Sequence, residues 1–174
     1  MNQQSKTILK KAIIGILCSV ILILLDQFTK HLAVKHLKDQ MPIVLWKNVF
    51  ELSYLENRGA AFGILQGKQW PLIIFTVIVL MIIIYLYLMR IPSEKHFGLL
   101  NVIAILFFGG AIGNFIDRVM QGYVVDFFYF RLIDFPVFNV ADIYVTVAAI
   151  LLILCLLFYK EEDFERILPA KKKK

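Results

Sequence analysis

Charge is scarce in this sequence. Of 174 residues only 18% are Asp, Glu, Lys or Arg, while 60% are hydrophobic and the mean hydropathy is +0.75. An ordinary globular domain carries about 25% charged residues. The shortfall excludes a disordered chain and argues against a water-soluble domain. Cysteine is nearly absent too: Cys18 and Cys155 are the two present. Each lies inside an apolar run, so they read as buried thiols and exclude a disulfide-dense scaffold. No stretch rich in Pro, Gly or Ser marks a linker, and no internal repeat is evident. A single domain over residues 1–174 is expected.

The signatures of several common chemistries are also missing. There is no H-E-x-x-H, and His31, His36 and His96 offer only a loose i,i+5 pair. There is no G-x-S-x-G, no P-loop and no G-x-G-x-x-G. Neither cysteine has a His or Asn neighbour at a plausible depth. The expectation is a chain with no metal and no cofactor. A net charge of +6 could point to nucleic acid. However, the charges collect at the termini and between apolar blocks instead of forming a stripe interleaved with aromatics, so no nucleic-acid partner is expected.

What the sequence does have is apolar length. A helix rises about 1.5 Å per residue, so roughly 20 apolar residues cross a hydrocarbon core of about 30 Å. Four segments qualify: residues 12–30, 70–89, 97–116 and 140–159. The first places Asp26, Gln27 and Thr29 at its far end. It begins after Lys6, Lys10 and Lys11, like a signal peptide, but no small-x-small cleavage site follows Leu25, so a retained span is expected.

Four spans put both termini on one side. That side carries Lys6, Lys10, Lys11, Arg90, Lys95, Lys160, Arg166 and Lys171–Lys174 in short flanks. The opposite side carries Lys30, Lys35, Lys38, Lys47, Arg58, Lys68, Arg118 and Arg131, spread over longer loops. The bias places both termini in the cytoplasm, with the polybasic tail as a topology anchor. Two loops then face outward, residues 31–69 and 118–138. The first carries a partly alternating stretch, Phe50 to Leu55, that reads as strand. Trp46, Phe50, Phe62 and Trp70 would be its interfacial aromatics.

Ionisable residues at membrane depth are expensive and therefore informative. Here they gather at one pole. Asp26 ends the first span; Asn114, Asp117 and Arg118 end the third; Asp126 lies in the second outer loop; Asn139 and Asp142 begin the fourth span. A plainer account makes Asn139 a helix cap, Asp142 a first-turn acid and Asp117–Arg118 an interfacial ion pair. It leaves Asp126 unexplained. Gly109 and Gly113 form a small-xxx-small pattern for close helix packing, or leave room for a substrate beside the pole.

Two carboxylates held together cannot both ionise cheaply, so near neutral pH they share a proton. One can then deprotonate a water while the other donates to a scissile carbonyl. Asp126 and Asp142 are best placed for this.

Five segments carry a resemblance. They are Asp26-Gln27-x-x-Lys30, Asn57-Arg58-Gly59-Ala60-Ala61-Phe62, Gly109 through Arg118, Val124-Val125-Asp126-Phe127 and Phe138-Asn139-Val140-Ala141-Asp142. In this order the chain resembles the bacterial lipoprotein signal peptidase (signal peptidase II) family of aspartic peptidases. The resemblance implies an α-helical membrane protein with four transmembrane helices, a small extracytoplasmic β-cradle and a short surface helix, the last two fitting loop 31–69. It implies an endopeptidase of the bacterial cytoplasmic (inner) membrane. Its substrates would be prolipoproteins, cut before a diacylglyceryl-modified cysteine at the extracytoplasmic face, and globomycin would inhibit it. Asp126 and Asp142 match the catalytic dyad. Asp26, Asn57, Gly109, Asn114, Arg118, Asn139 and Ala141 match positions that shape or support the substrate site. Arg58 departs from the family, where many members carry Thr. A monomer in contact with membrane lipid is expected.

The alternative is a small transporter whose aspartates bind a cation or relay protons. Its site would sit near the bilayer midplane, often at broken helices in repeated halves, which the one-sided acids do not match. A purely structural membrane protein would tolerate Asp126→Asn.

Overall fold

A run of apolar residues with few breakers closes its own backbone hydrogen bonds as helix, which is what a hydrocarbon environment requires. The computed structural model describes residues 2–59 and 65–168. The motif residues Ala60, Ala61 and Phe62 and the Lys171–Lys174 tail lie outside the described residues. Among the described residues four helices are long and apolar enough to cross a membrane. They are α1 (Gln3–Leu37), α2 (Gln69–Tyr85, continued by a π-helical turn at Leu86–Arg90), α3 (Gly98–Gln121) and α4 (Val140–Phe158). Their outward faces are apolar: Leu24, Phe75 and Phe158 are all more than half exposed, as lipid-facing side chains are.

At 35 residues α1 is about 52 Å long, well beyond a hydrocarbon core of about 30 Å. Its last turns therefore leave the bundle. There Ala33 and Leu37 bury themselves against Val125 and Phe127 of a small antiparallel sheet. The sheet has the order β1-β2-β3, with β1 at Ile43–Trp46, β2 at Phe50–Asn57 and β3 at Val124–Phe130. Loop 31–69 thus supplies two strands and loop 118–138 the third. Among the described residues of loop 31–69 beyond α1 the regular structure is strand. The short helix outside the bundle is α5 (Glu161–Ile167), after the fourth span. It docks at the opposite pole, where Arg90 Nε donates to Ile167 O and Phe97 is fully buried.

Helix α3 packs against α1, α2 and α4. Its glycines make this possible. A Cβ at Gly110 would lie 2.6 Å from the Ala141 carbonyl oxygen, and one at Gly109 would lie 3.0 Å from Leu22. Helix α3 ends at Gly122, whose φ of +76° suits a residue without a Cβ. The chain then turns directly into β3.

Of the expected interfacial aromatics, Trp46 and Trp70 are largely exposed. Phe50 instead packs within the sheet, its ring centroid 4.7 Å from that of Phe130.

Candidate active site

Two local rules place the acids. On a strand, alternate residues share a face. Asn57 pairs with Val124 and Leu55 with Asp126, so Asn57 and Asp126 are diagonal neighbours on one face of the sheet. Asn57 Nδ2 donates to Asp126 Oδ2 at 2.8 Å. On helix α4, Asn139 is the N-cap. Its Oδ1 accepts from the Asp142 amide at 3.0 Å, and Asp142 Oδ2 accepts from the Asn139 amide at 3.1 Å, a complete capping box. The plainer reading of Asn139 and Asp142 as cap and first-turn acid is therefore correct, but it is half of their role.

The other half comes from the Asn139 amide group. Its Nδ2 donates to Asp126 Oδ1 at 2.6 Å and to Asn114 Oδ1 at 3.1 Å. Asn114 Nδ2 in turn donates to Asp142 Oδ1 at 2.8 Å. Every carboxylate oxygen of Asp126 and Asp142 thus accepts one N–H, and Asn139 touches both acids. Asp126 is 1% exposed, whereas Asp142 is only half-buried and reachable. Burial, and then the neighbouring Asp142 carboxylate, pushes the Asp126 carboxyl from its ordinary value near 3.8 up to about 7.

Beneath the acids lies a charge cluster. Lys30 Nζ is 2.9 Å from Asp26 Oδ2, 3.0 Å from Asp117 Oδ2 and 2.9 Å from Asn114 Oδ1. Asp26 Oδ1 also accepts from the Ala141 amide at 2.9 Å, which ties α1 to the first turn of α4. Asp117 Oδ2 accepts from the Val125 amide at 3.1 Å, which ties α3 to β3. Gln27 Nε2 bridges to Asp117 Oδ1 and the Gly113 carbonyl.

The expected Asp117–Arg118 ion pair is not what forms. Asp117 turns inward, where its Oδ2 meets both Lys30 Nζ and the Val125 amide. Arg118 instead donates to the Gly59 carbonyl at 3.3 Å, and among the described residues its buried Nε has no hydrogen-bond partner.

Of the nine site residues read from sequence, the structure gathers Asp26, Asn57, Asn114, Asp126, Asn139, Ala141 and Asp142 into one hydrogen-bonded network, Ala141 through its backbone. Arg118 lies at its margin. Gly109 lies against Leu22, one helical turn of α1 before Asp26, and does not touch the acids. Sequence reading missed Lys30 as a site residue by counting it as a flanking charge. The available signal was its i,i+4 spacing from Asp26 at membrane depth.

Comparison with known proteins identifies the family. The family model described as signal peptidase (SPase) II matches residues 18–158. The chain is 43% identical over 149 residues to a lipoprotein signal peptidase of Clostridioides difficile (strain 630), covering 85% of this chain and 97% of that one. It is 42% identical over 152 residues to a lipoprotein signal peptidase of Streptococcus pyogenes serotype M5 (strain Manfredo), covering 86% and 95%. It is also similar to a solved chain described as a bacterial membrane enzyme structure by the in meso method at 2.3 Å resolution. That likeness has a TM-score of 0.75 and 33% identity, over 92% of this chain and 93% of the other.

Proposed function

This chain belongs to the signal peptidase II family, and on that premise we propose that it removes the signal peptide from prolipoproteins, using Asp126 and Asp142 to activate water. The observation that carries the proposal is the shared clamp. Asn139 donates to Asp126 through its side chain and to Asp142 through its backbone. Two carboxyl groups held by one residue, one of them pushed up to about 7, can hold one proton between them near neutral pH.

In the proposed reaction one carboxylate takes a proton from a water bound between the acids. The water oxygen attacks the scissile carbonyl carbon. The other carboxyl group donates its proton to the carbonyl oxygen, which forms a tetrahedral diol. On collapse the C–N bond breaks, the leaving amine takes a proton from the acid that captured one from water, and a diol hydroxyl returns its proton to the other carboxylate as the carbonyl re-forms, which restores the pair. No covalent enzyme intermediate is needed.

The scissile bond would precede a diacylglyceryl-modified cysteine. Such a lipid anchor holds the bond near the membrane surface, and the acids lie at helix ends where they can meet it. An apolar cleft lined by Cys18, Ile21, Leu22, Val102, Ile105 and Leu106 begins one turn of α1 from Asp26 and suits an acyl chain. We place the acids at the extracytoplasmic face of the bacterial inner membrane and both termini in the cytoplasm, with the chain acting as a monomer of one domain.

The test is cleavage of a synthetic diacylglyceryl-lipobox peptide by purified protein in detergent. Activity should survive EDTA and stop with globomycin. Asp126→Asn and Asp142→Asn should each remain folded and lose at least about 100-fold in kcat, the lower end of the range for acid–base catalysis. Near-normal cleavage by a folded Asp142→Asn protein would sink the assignment. Cation-dependent flux across vesicles without peptide cleavage would favour the transport reading.

A further inference from the structure

Lys30 is buried, its side chain 4% exposed. An ammonium has three N–H donors and no acceptor. Here each donor has one partner: Asp26 Oδ2, Asp117 Oδ2 and Asn114 Oδ1. The first two are ion pairs that would hold a lysine in place anywhere. The third has a consequence at the acids.

A side-chain amide is nearly symmetric in shape but not in polarity. Asn114 has one end against Lys30 Nζ and Asn139 Nδ2, both donors, and the other against Asp142 Oδ1, an acceptor. Rotating the amide by half a turn would set its NH2 against two donors and its oxygen against a carboxylate. Asn139 favours the same choice, because its own amide is held by the Asp142 backbone N–H on Oδ1 and by Asp126 on Nδ2. Lys30 adds a second, charged donor on the same oxygen, and an ammonium never accepts.

We propose that Lys30 is a positioning residue for the acid pair: its bond to Asn114 Oδ1 locks the Asn114 amide with its NH2 toward Asp142 Oδ1. This inference rests on the reading of Asp126 and Asp142 as the reacting pair. Lys30 touches neither acid. It acts through Asn114 on Asp142, and through the Asn114–Asn139 bond on Asp126. Its charge acts as well. The charged and titratable groups around the pair are Asp26 and Lys30 on α1, Asp117 and Arg118 on α3, Asp126 on β3, and Asp142 and Tyr144 on α4. Lys30 and Arg118 are the two cations in this set. Removing Lys30 withdraws a positive charge that favours ionised acids, so both limbs of a bell-shaped pH–rate profile should move to higher pH.

The experiment compares wild type, Lys30→Gln and Lys30→Met/Asp117→Asn, using the diacylglyceryl-lipobox peptide in detergent. The double variant removes the cation together with one of its two carboxylate partners. The Asp26–Lys30–Asp117 cluster then keeps its net charge of minus one, while the bond to Asn114 is gone. For Lys30→Gln the expected result is a kcat at least about 100-fold lower with KM within about threefold, and both pH limbs displaced upward. For the double variant the loss in kcat should persist while the limbs return toward their wild-type positions.

Wild-type kcat in either folded variant would overturn the proposal. So would restoration of kcat in the double variant, since charge alone would then explain Lys30. Failure of both variants to fold would make Lys30 a structural ion-pair residue and overturn the proposal equally. Asp126→Asn run in parallel separates the two readings. If that variant is active, the acid pair itself is misassigned. If it is inactive while the Lys30 variants behave as wild type, only the present inference falls.

Discussion

Asn139 Nδ2 lies 2.6 Å from Asp126 Oδ1, and neither residue is more than 1% exposed. This contact joins the strand that carries one acid to the helix cap that carries the other. Asn139 therefore performs two separable tasks, capping α4 through its Oδ1 and clamping the acids through its Nδ2.

Substitution can divide those tasks. Asp is as good an N-cap as Asn, so Asn139→Asp should keep α4 capped and stay within about 1 kcal/mol of wild type at acid pH. It replaces the donor facing Asp126 and Asn114 with an oxygen. Cleavage should fall by at least about 100-fold. Asn139→Ala loses both tasks and should add about 1 kcal/mol of destabilisation to the same loss of cleavage. Thermal unfolding in detergent and peptide cleavage, measured on both variants, check the division. Full activity in Asn139→Asp would show that the clamp has no catalytic role.

The elevated Asp126 carboxyl links stability to pH with a definite sign. The folded protein holds this proton more tightly than the unfolded chain does. The stabilisation is therefore complete below the ordinary carboxyl value near 3.8 and is lost as pH rises through about 7. The displacement corresponds to on the order of 4 kcal/mol, since each unit is about 1.4 kcal/mol. Asp126→Asn removes this contribution. Between pH 4 and pH 8 the stability difference between the two proteins should shift toward the variant by up to that amount. Unfolding midpoints across this range test it; a difference independent of pH would show that Asp126 is not elevated. In the proposed mechanism the same proton is needed for cleavage, so wild-type activity should decline above about pH 7.

The helices and the polar pole were legible in the sequence because both rest on local rules. Twenty apolar residues make a span, and an aspartate at a span's end is too costly to be incidental. The capping box at Asn139 and Asp142 was legible for the same reason, at i,i+3. What sequence did not reveal are partners fixed by packing between distant segments. Lys30 reads as a flank charge until α3 brings Asp117 and Asn114 onto it from more than eighty residues away. Asp117 next to Arg118 reads as a pair, but adjacent residues on a helix point apart: Asp117 reaches Lys30 and Arg118 reaches the Gly59 carbonyl. Phe50 reads as a membrane anchor until β3 places Phe128 and Phe130 beside it. Asn57 and Asp126 meet only through strand register, which no single stretch of sequence states.

The glycines of α3 offer the sharpest test of how far the bundle tolerates change. At Gly110 an added Cβ would sit 2.6 Å from the Ala141 carbonyl oxygen and 2.8 Å from Val145 Cγ2. The first of these is backbone and cannot swing aside. Gly110→Ala must push the start of α4 away from α3, at a cost of about 1–3 kcal/mol. The movement carries Asn139 and Asp142 with it. A displacement near 1 Å can cost about 100-fold in rate, so cleavage should fall more than stability does. Gly98 provides the control. It begins the same helix, nothing lies within 4 Å of its added Cβ, and its backbone is already helical. Gly98→Ala should leave cleavage unchanged and raise stability by about 0.4–1 kcal/mol through the unfolded chain. If Gly110→Ala cleaved as well as Gly98→Ala in folded protein, the acids would not depend on the close approach of α3 and α4, and the clamp built on Asn139 would not need the geometry described for it.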